Sequence, residues 1–267
     1  MLWLLAAFVL VSALVSGWKG LRGLGGILFS LVIVVFYIIP QIMAGKSPVL
    51  VSIIGSFFFL SITLYLIYGW TLKTHAAVLG TLISLSLTGL LAAVSVQAAR
   101  LTGYGDENAI FLAQAAPQTL DMQGLLLAGM LIGALGVLDD LVIGQSSAVF
   151  ELHAANSALG LRFLYQRAMN IGRDHVAATV NTLVLAYAGA ALPMLLLFSL
   201  SSHDLGLLVS TSYIAEEIVR TLVGAIGLFI SVPLTTFIAC LLVLYRGRLG
   251  ALGRDLGPDN SWDNESV

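Results

Sequence analysis

Three carboxylates interrupt an otherwise apolar part of the sequence, in the stretch GVLDDLVIGQSSAVFEL from Gly136 to Leu152. They are Asp139, Asp140 and Glu151. Carboxylates inside a membrane cost at least ~2.5–3.5 kcal/mol each on insertion scales, and those that persist mark ion or proton pathways. Two adjacent carboxylates that lose their water repel each other, so one of them tends to take up a proton near neutral pH. These residue types therefore predict a site where a proton or an ion binds and leaves.

The same aspartates also fit a purely structural role. At a helix end in the membrane interface they would be solvated, or they would pair with arginines further along the chain, namely Arg162, Arg167 and Arg173. If the helix enters the hydrocarbon near Met122, Asp139 lies about 25 Å along its axis, close to the inner boundary. The apolar continuation LVIG favours a helix that does not stop at the pair. Depth therefore decides between the two interpretations.

The composition requires these residues to be positioned by membrane-spanning helices. Of the 267 residues, 59% are hydrophobic and only 10% are charged, against roughly 25% charged in soluble domains. A hydrocarbon core about 30 Å thick needs about 20 apolar residues per helix. Apolar windows of that length predict an all-α, polytopic helical bundle of about seven spans in a single domain, residues 1–267. The windows are 1–18, 23–45, 47–72, 74–99, 122–138, 176–202 and 221–245.

The basic residues predict the orientation of this bundle, because lysine and arginine near helix ends stay on the cytoplasmic side. Seven spans place nine of them on one side and three on the other, so we expect the N-terminus outside and the C-terminus in the cytoplasm. No basic residue precedes the first apolar run, so we expect a retained helix and not a signal peptide. The polar tail 253–267 is predicted to be disordered.

Small and polar residues follow one face of the helix that carries the carboxylates. Successive members of this set are three or four residues apart, which keeps them on one side of the helix. The set comprises Gly129, Gly133, Gly136, Asp140, Gly144, Ser147 and Glu151. Such residues let neighbouring backbones approach closely in a bilayer, so we expect this face to meet other helices of the bundle. Asp139 lies about 100° around the helix from Asp140, which makes Asp140 the stronger candidate for a functional carboxylate.

Two later helices carry matching small-residue faces. One contains Ala178, Thr182, Ala186, Gly189 and Pro193, and the other contains Gly224, Gly227, Ser231 and Thr235. Three such faces predict close contact between helices at about 122–150, 176–202 and 221–245, with the first four spans around them. Asn181 and Thr182 would then hydrogen-bond a carboxylate or join two helices structurally.

Several classes of site are not indicated. The histidines His75, His153, His175 and His203 share no metal-ligand spacing, so we expect neither a metal nor another cofactor, although His175 could relay protons. Cys240 has no intrachain partner and is expected to pack in the core. An intramembrane aspartyl protease needs carboxylates on two facing helices, whereas both aspartates are consecutive on one helix. The net charge of −2 carries no signature of nucleic-acid binding.

Several separated motifs, in order along the chain, resemble the YibE/F family of bacterial multi-spanning membrane proteins. They include GLRGLGGILFSL, YGWTLKTHAAVLGT, GALGVLDDLVIGQSSAVFEL, MNIGRDHVAATVNTLVLAYAGAALPMLLLF and VGAIGLFISVPLTT. Residues 17–26 lead straight into the second span, so the chain is similar to the short, YibF-like form without a large external region. The acidic pair in a glycine-rich span, followed by a span that opens with NTL, is also similar to the transmembrane core of SecD and SecF, in which carboxylates are linked to proton flow.

The YibE/F resemblance implies a permease-like protein of the bacterial inner or plasma membrane, without naming a substrate. Together with the carboxylates, it leads us to expect proton- or ion-coupled secondary transport. Asp139 and Asp140 would couple the ion, with Glu151, Asn181 and Thr182 as neighbours. The alternative is a non-transporting membrane subunit that packs against a YibE-like partner. Small-residue faces would serve that association, or a homo-oligomer, equally well.

Overall fold

The computed structural model describes residues 2–116, 120–200, 211–246 and 256–259. All of the regular secondary structure in these ranges is helical. The helices are α1 (Leu2–Ile33), α2 (Ile39–Met43), α3 (Pro48–Tyr68), α4 (Leu72–Ala98), α5 (Glu107–Ala115), α6 (Met122–Ala155), α7 (Leu161–Ala190), α8 (Leu192–Leu200) and α9 (Ser212–Tyr245). A stretch of π-helix, Val34–Ile38, joins α1 to α2.

Five helical segments are long and apolar enough to cross a membrane, which makes the chain a multi-pass membrane protein. They are Gly20–Met43, α3, α4, α6 and α9. Leu2–Trp18 is apolar but shorter, and Gly17, with a φ of 55°, separates it from the rest of α1. The sixth predicted window begins within α7, which is not among the candidate spans. The expected count of seven and the expected orientation thus stay predictions.

Local capping explains where several helices begin and end. Gly69 ends α3 with a φ of 75°, a conformation that glycine adopts at little steric cost. Thr71 then caps α4, because its hydroxyl accepts a hydrogen bond from the Thr74 amide at 3.2 Å. These two residues make a tight corner, so that α3 and α4 run in opposite directions.

Close contacts fix the directions of the central helices. Thr88 packs against Gly227 and Thr235 packs against Gly80, so α4 and α9 are antiparallel. Gly89 meets Leu131, while the Ser146 hydroxyl donates to the Lys73 carbonyl at 2.8 Å, so α4 and α6 are antiparallel too. In consequence α6 and α9 run in the same direction.

The core observed in the structure includes α4, which the expected three-helix core leaves out. Helix α4 packs against both α6 and α9, and its buried face carries Thr81, Ser84 and Thr88. We expected this span at the periphery of the bundle, because most of the small residues on its buried face are serine and threonine and not glycine. The Thr81 and Thr88 hydroxyls bond within the helix, to the Ala77 and Ser84 carbonyls at 3.0 and 2.7 Å, which leaves compact side chains for close packing.

Two polar segments adjoin the central helices. Most of residues 150–175 is helical, because α6 continues to Ala155 and α7 begins at Leu161. Within the predicted disordered tail, residues 256–259 make defined contacts. The Leu72 amide donates to the Pro258 carbonyl at 3.0 Å, and Arg246 pairs with Asp259 at 2.6 Å. The Pro258 carbonyl thereby caps the start of α4, and the rest of the tail for which disorder is predicted lies outside the described residues.

Candidate functional site

Asp139 lies in the interior of α6 and not at a helix end. The helix begins at Met122, where the Asp121 side chain accepts a hydrogen bond from the Gly124 amide at 2.8 Å. It ends at Ala155, about 24 Å beyond Asp139 at 1.5 Å per residue. The aspartates therefore do not lie at a helix terminus.

The neighbouring helix shows how far the acidic pair lies from the end of the bundle. The hydrogen bond from Ser146 sets that residue level with Lys73, at the start of α4. Asp139 precedes Ser146 by seven residues, or about 10 Å along the axis. Both α4 and α6 are candidate membrane spans. The pair thus lies about two turns inside the end of α4, within the apolar part of the bundle.

The Asp139 side chain is partly buried. Its Oδ1 atom is inaccessible and has no hydrogen-bond partner. The nearby ring of Tyr68, in the last turn of α3, lies within electrostatic range of Asp139 and Asp140 and packs against the cluster that includes Leu138 and Leu141. Leaving a buried polar group without a partner costs about 1–3 kcal/mol, and more if it is charged. A bound proton, ion or water would remove that cost.

Asp140 lies on the exposed side of α6 and forms neither a hydrogen bond nor an ion pair with the described part of the chain. The expectation that the glycine face meets other helices of the bundle holds only in part, since α7 reaches Gly133 and Gly144. Gly129, Gly133 and Gly136 are exposed as well. The inward face consists of larger apolar residues, among them Leu135 and Leu138. Asp139, and not Asp140, is consequently the partly buried carboxylate of the pair.

The other predicted neighbours do not join this pair. Glu151 is exposed and lies eleven residues beyond Asp140, about 16 Å along the helix. Asn181 and Thr182 are exposed on α7, where the Thr182 hydroxyl donates to the Ala178 carbonyl at 3.1 Å. They lie near the depth of Asp139, because α7 places His175 beside Gly144 and Tyr187 beside Gly133. Lying at about the same depth as Asp139 does not by itself bring Asn181 or Thr182 into contact with a carboxylate.

The predicted packing glycines fall into two groups. Gly224 and Gly227 are buried, against Leu183 and Thr88 respectively. Gly133 and Gly144 are partly covered by Tyr187 and His175, whereas a methyl group added at Gly129, Gly136 or Gly189 would meet nothing within 4 Å. Gly129, Gly136 and Gly189 therefore face open space on the surface of the chain.

Gln145 is an important polar residue that the sequence reasoning missed. Its amide nitrogen donates to the Ala168 carbonyl at 2.9 Å and to the Thr236 hydroxyl at 2.7 Å. It thereby joins α6 to α7 and α9 within the apolar interior, where its Oε1 atom has no partner. A glutamine in the run LVIGQSS was the available signal, since an amide in an apolar helix needs internal partners.

At the other end of the bundle, Glu216 has a structural role. It is buried at the start of α9 and accepts a hydrogen bond from the Gly105 amide at 3.2 Å. Glu217 forms an ion pair with Arg220 at 2.6 Å. Cys240 is buried and free in a cluster with Leu72 and Phe150. Among the described residues, no group of three or more histidine, cysteine, aspartate or glutamate side chains is placed to hold a metal ion.

Comparison with known families decides the affiliation. The model of the YibE/F-like protein family matches residues 4–244. The chain belongs to the YibE/F family. The match extends from the first helix nearly to the end of α9 and includes the acidic pair. No curated protein and no solved structure is significantly similar to the chain, and the weaker likeness to SecD and SecF is not supported.

Proposed function

We propose that this YibE/F-like protein is a permease-like protein of the bacterial inner membrane that couples the movement of a solute to a proton or another cation. Asp139 is the proposed coupling carboxylate, with Asp140 as its neighbour. The observation that carries the proposal is the buried Oδ1 atom of Asp139, which has no hydrogen-bond partner inside an apolar span. A carboxylate without a hydrogen-bond partner inside an apolar span is stabilised when a cation binds to it. The free energy of packing around Asp139 therefore depends on whether a cation is bound.

Two features support coupling by Asp139. The Tyr68 side chain from α3 lies close enough to sense the charge of the pair, so a change of charge on α6 alters its interaction with a second helix. Asp140 is exposed beside it and repels a second negative charge. Together they favour one bound cation per pair, which is the property that secondary transport requires.

The test begins with the solute, because the residues do not identify it. Ion and metabolite contents are compared between wild-type cells and cells that lack the protein, and any difference is followed in proteoliposomes under a pH gradient. We expect Asp139→Asn to insert normally and to lose gradient-driven flux. Asp121→Asn, which changes an exposed carboxylate at the helix start, is the matched control and should retain flux. Equal flux in Asp139→Asn and wild-type protein would exclude the coupling role.

A second candidate is a membrane subunit that acts with another chain, such as a long, YibE-like partner. The observation that favours it is the exposed glycine face of α6, where a methyl group added at Gly129 or Gly136 would meet nothing within 4 Å. Gentle solubilisation and purification would test it. A stable, stoichiometric second polypeptide is expected, and a monomer that retains gradient-driven flux would contradict a purely structural role.

A further inference from the structure

A cavity of about 330 Å³ opens on the side of the bundle between α7, α8 and α9. We call it the seam cavity. It lies where α7, which ends at Ala190, gives way to α8, because Pro193 has no amide hydrogen with which to continue the hydrogen bonds of α7. Small side chains on both sides of this break, Ala188 and Ala191, line the cavity and leave its space open. Its apolar walls also include Val184, Leu195, Ile218 and Leu222.

A few polar side chains interrupt these apolar walls. They are Tyr187, Tyr213, Glu217 and Thr221. The Thr221 hydroxyl donates to the Glu217 carbonyl at 2.8 Å, whereas neither tyrosine hydroxyl forms a hydrogen bond with the described residues. Glu217 pairs with Arg220 through Oε1 only, at 2.6 Å, and Tyr187 lies within electrostatic range of both. The second carboxylate oxygen and the two tyrosines can therefore contact a ligand.

A second cavity, of about 420 Å³, makes the surroundings of the seam cavity acidic. The two cavities share Met194 and Tyr213, and the second is also lined by Asp106 and Glu107 at the start of α5. Among the described residues that line either cavity there is no lysine, arginine or histidine. A ligand that enters by way of α5 therefore meets negative charge before it reaches Glu217.

We propose that the seam cavity binds an organic cation with an apolar body, of the hydrophobic amine or quaternary ammonium class. Ligand sites are typically concave and mostly apolar, with a few polar groups that fix orientation. The apolar body would fill the cavity, and the cationic group would lie against Glu217 and the face of Tyr187 or Tyr213, since aromatic faces attract quaternary ammonium groups. No residue of α6 lines the seam cavity in the described part of the chain, so the inference does not rest on coupling by Asp139.

Equilibrium binding to the purified full chain in lipid nanodiscs tests this proposal. The probe is phenyltrimethylammonium, and benzenesulfonate is the anion of similar size, with empty nanodiscs as the background. We expect saturable binding of the cation and none of the anion. Glu217→Gln should weaken binding of the cation about tenfold, because one favourable charge interaction is lost. Asp121→Asn changes a carboxylate that lines neither cavity and should bind the cation as the wild type does.

Two further variants distinguish a binding site from a structural ion pair. Arg220→Gln releases the Glu217 carboxylate from its partner and removes a positive charge, so it should tighten binding of the cation, opposite to Glu217→Gln. Ala188→Leu places a larger side chain in the seam cavity and should abolish binding, while its circular dichroism spectrum stays that of the wild type.

Other results would overturn the proposal. Equal binding of the cation and the anion would remove the charge argument, and weaker binding in both Glu217→Gln and Arg220→Gln would make the ion pair structural only. Retained binding in Ala188→Leu would exclude the seam cavity as the site. No saturable binding of the cation would leave the cavity to lipid chains. The measurement uses no gradient, so failure of coupled transport would not alter any of these results.

Discussion

Adding one methyl group to two glycines of this bundle should change its stability in opposite directions. Gly227 is buried in α9, where the new Cβ atom would overlap the Thr88 side chain, with Thr88 Cγ2 only 2.9 Å away. Gly136 lies on the open side of α6, where the new Cβ atom would meet nothing within 4 Å. The pair therefore separates tight packing from the conformational cost of glycine in a helix.

The expected magnitudes follow from two opposing effects. Replacing a mid-helix glycine by alanine stabilises the helix by roughly 0.5–1 kcal/mol. Gly136→Ala should show this gain almost undiminished. At Gly227 the same gain is opposed by overpacking, which typically costs about 1–3 kcal/mol. Displacing Thr88 also strains its hydrogen bond to the Ser84 carbonyl, worth about 0.5–1.5 kcal/mol. Gly227→Ala should therefore destabilise the protein by about 1–2 kcal/mol.

The assay is reversible unfolding of the purified protein in mixed micelles, followed by circular dichroism as the fraction of denaturing detergent increases. Wild type, Gly136→Ala and Gly227→Ala are compared under identical conditions. We expect the unfolding midpoint of Gly136→Ala to be higher than that of the wild type, and the unfolding midpoint of Gly227→Ala to be lower. Destabilisation by Gly136→Ala in the monomer, or stabilisation by Gly227→Ala, would refute the assignment of the inward and outward faces.

Two further predictions concern polar contacts. Gln145→Ala should lower the unfolding free energy by about 1–3 kcal/mol, because it removes a buried amide and its hydrogen bonds; the exposed Gln166→Ala is the control, and equal midpoints would contradict the prediction. Asp259→Asn should break the ion pair with Arg246 and accelerate hydrogen exchange of the Leu72 amide, which the tail caps. Both partners of that ion pair are partly exposed, so the loss should stay below about 1 kcal/mol, and unchanged exchange would contradict it.

The sequence predicted the helices well because the bilayer imposes their length and apolarity. The windows that begin near residues 47, 74, 122 and 221 lie within α3, α4, α6 and α9 or overlap them closely. Hydrocarbon cannot bond an exposed backbone, so an apolar run of that length forms a helix whatever its neighbours are. This part of the fold therefore needs only local information.

The inward face of α6 could not be predicted in the same way. Lipid and protein interior are equally apolar, so hydrophobicity does not distinguish the two sides of a membrane helix. The spacing correctly grouped Gly129, Gly136 and Asp140 on one face. It could not show that this face is the exposed one in the described part of the chain. For the same reason Asp140 was favoured over Asp139, although only Asp139 is partly buried.

Contacts between distant residues were also beyond reach of local patterns. The bonds from Gln145 to Ala168 and Thr236 span 23 and 91 residues, and the packing of Tyr68 against the cluster with Leu138 and Leu141 joins α3 to α6. No periodicity within one helix reports such pairs. A polar residue in an apolar run predicts that a partner exists, without indicating which one it is.

The most direct test of the central claim is infrared difference spectroscopy of the protein in lipid, recorded as the pH is changed. This measurement needs no solute. If Asp139 gains and loses a proton inside the bundle, a protonated-carboxyl band from a dry environment changes with pH in the wild type. The same band should be absent in Asp139→Asn and present in Asp121→Asn. An unaltered band in Asp139→Asn would contradict the claim that Asp139 is the protein's proton-exchanging carboxylate.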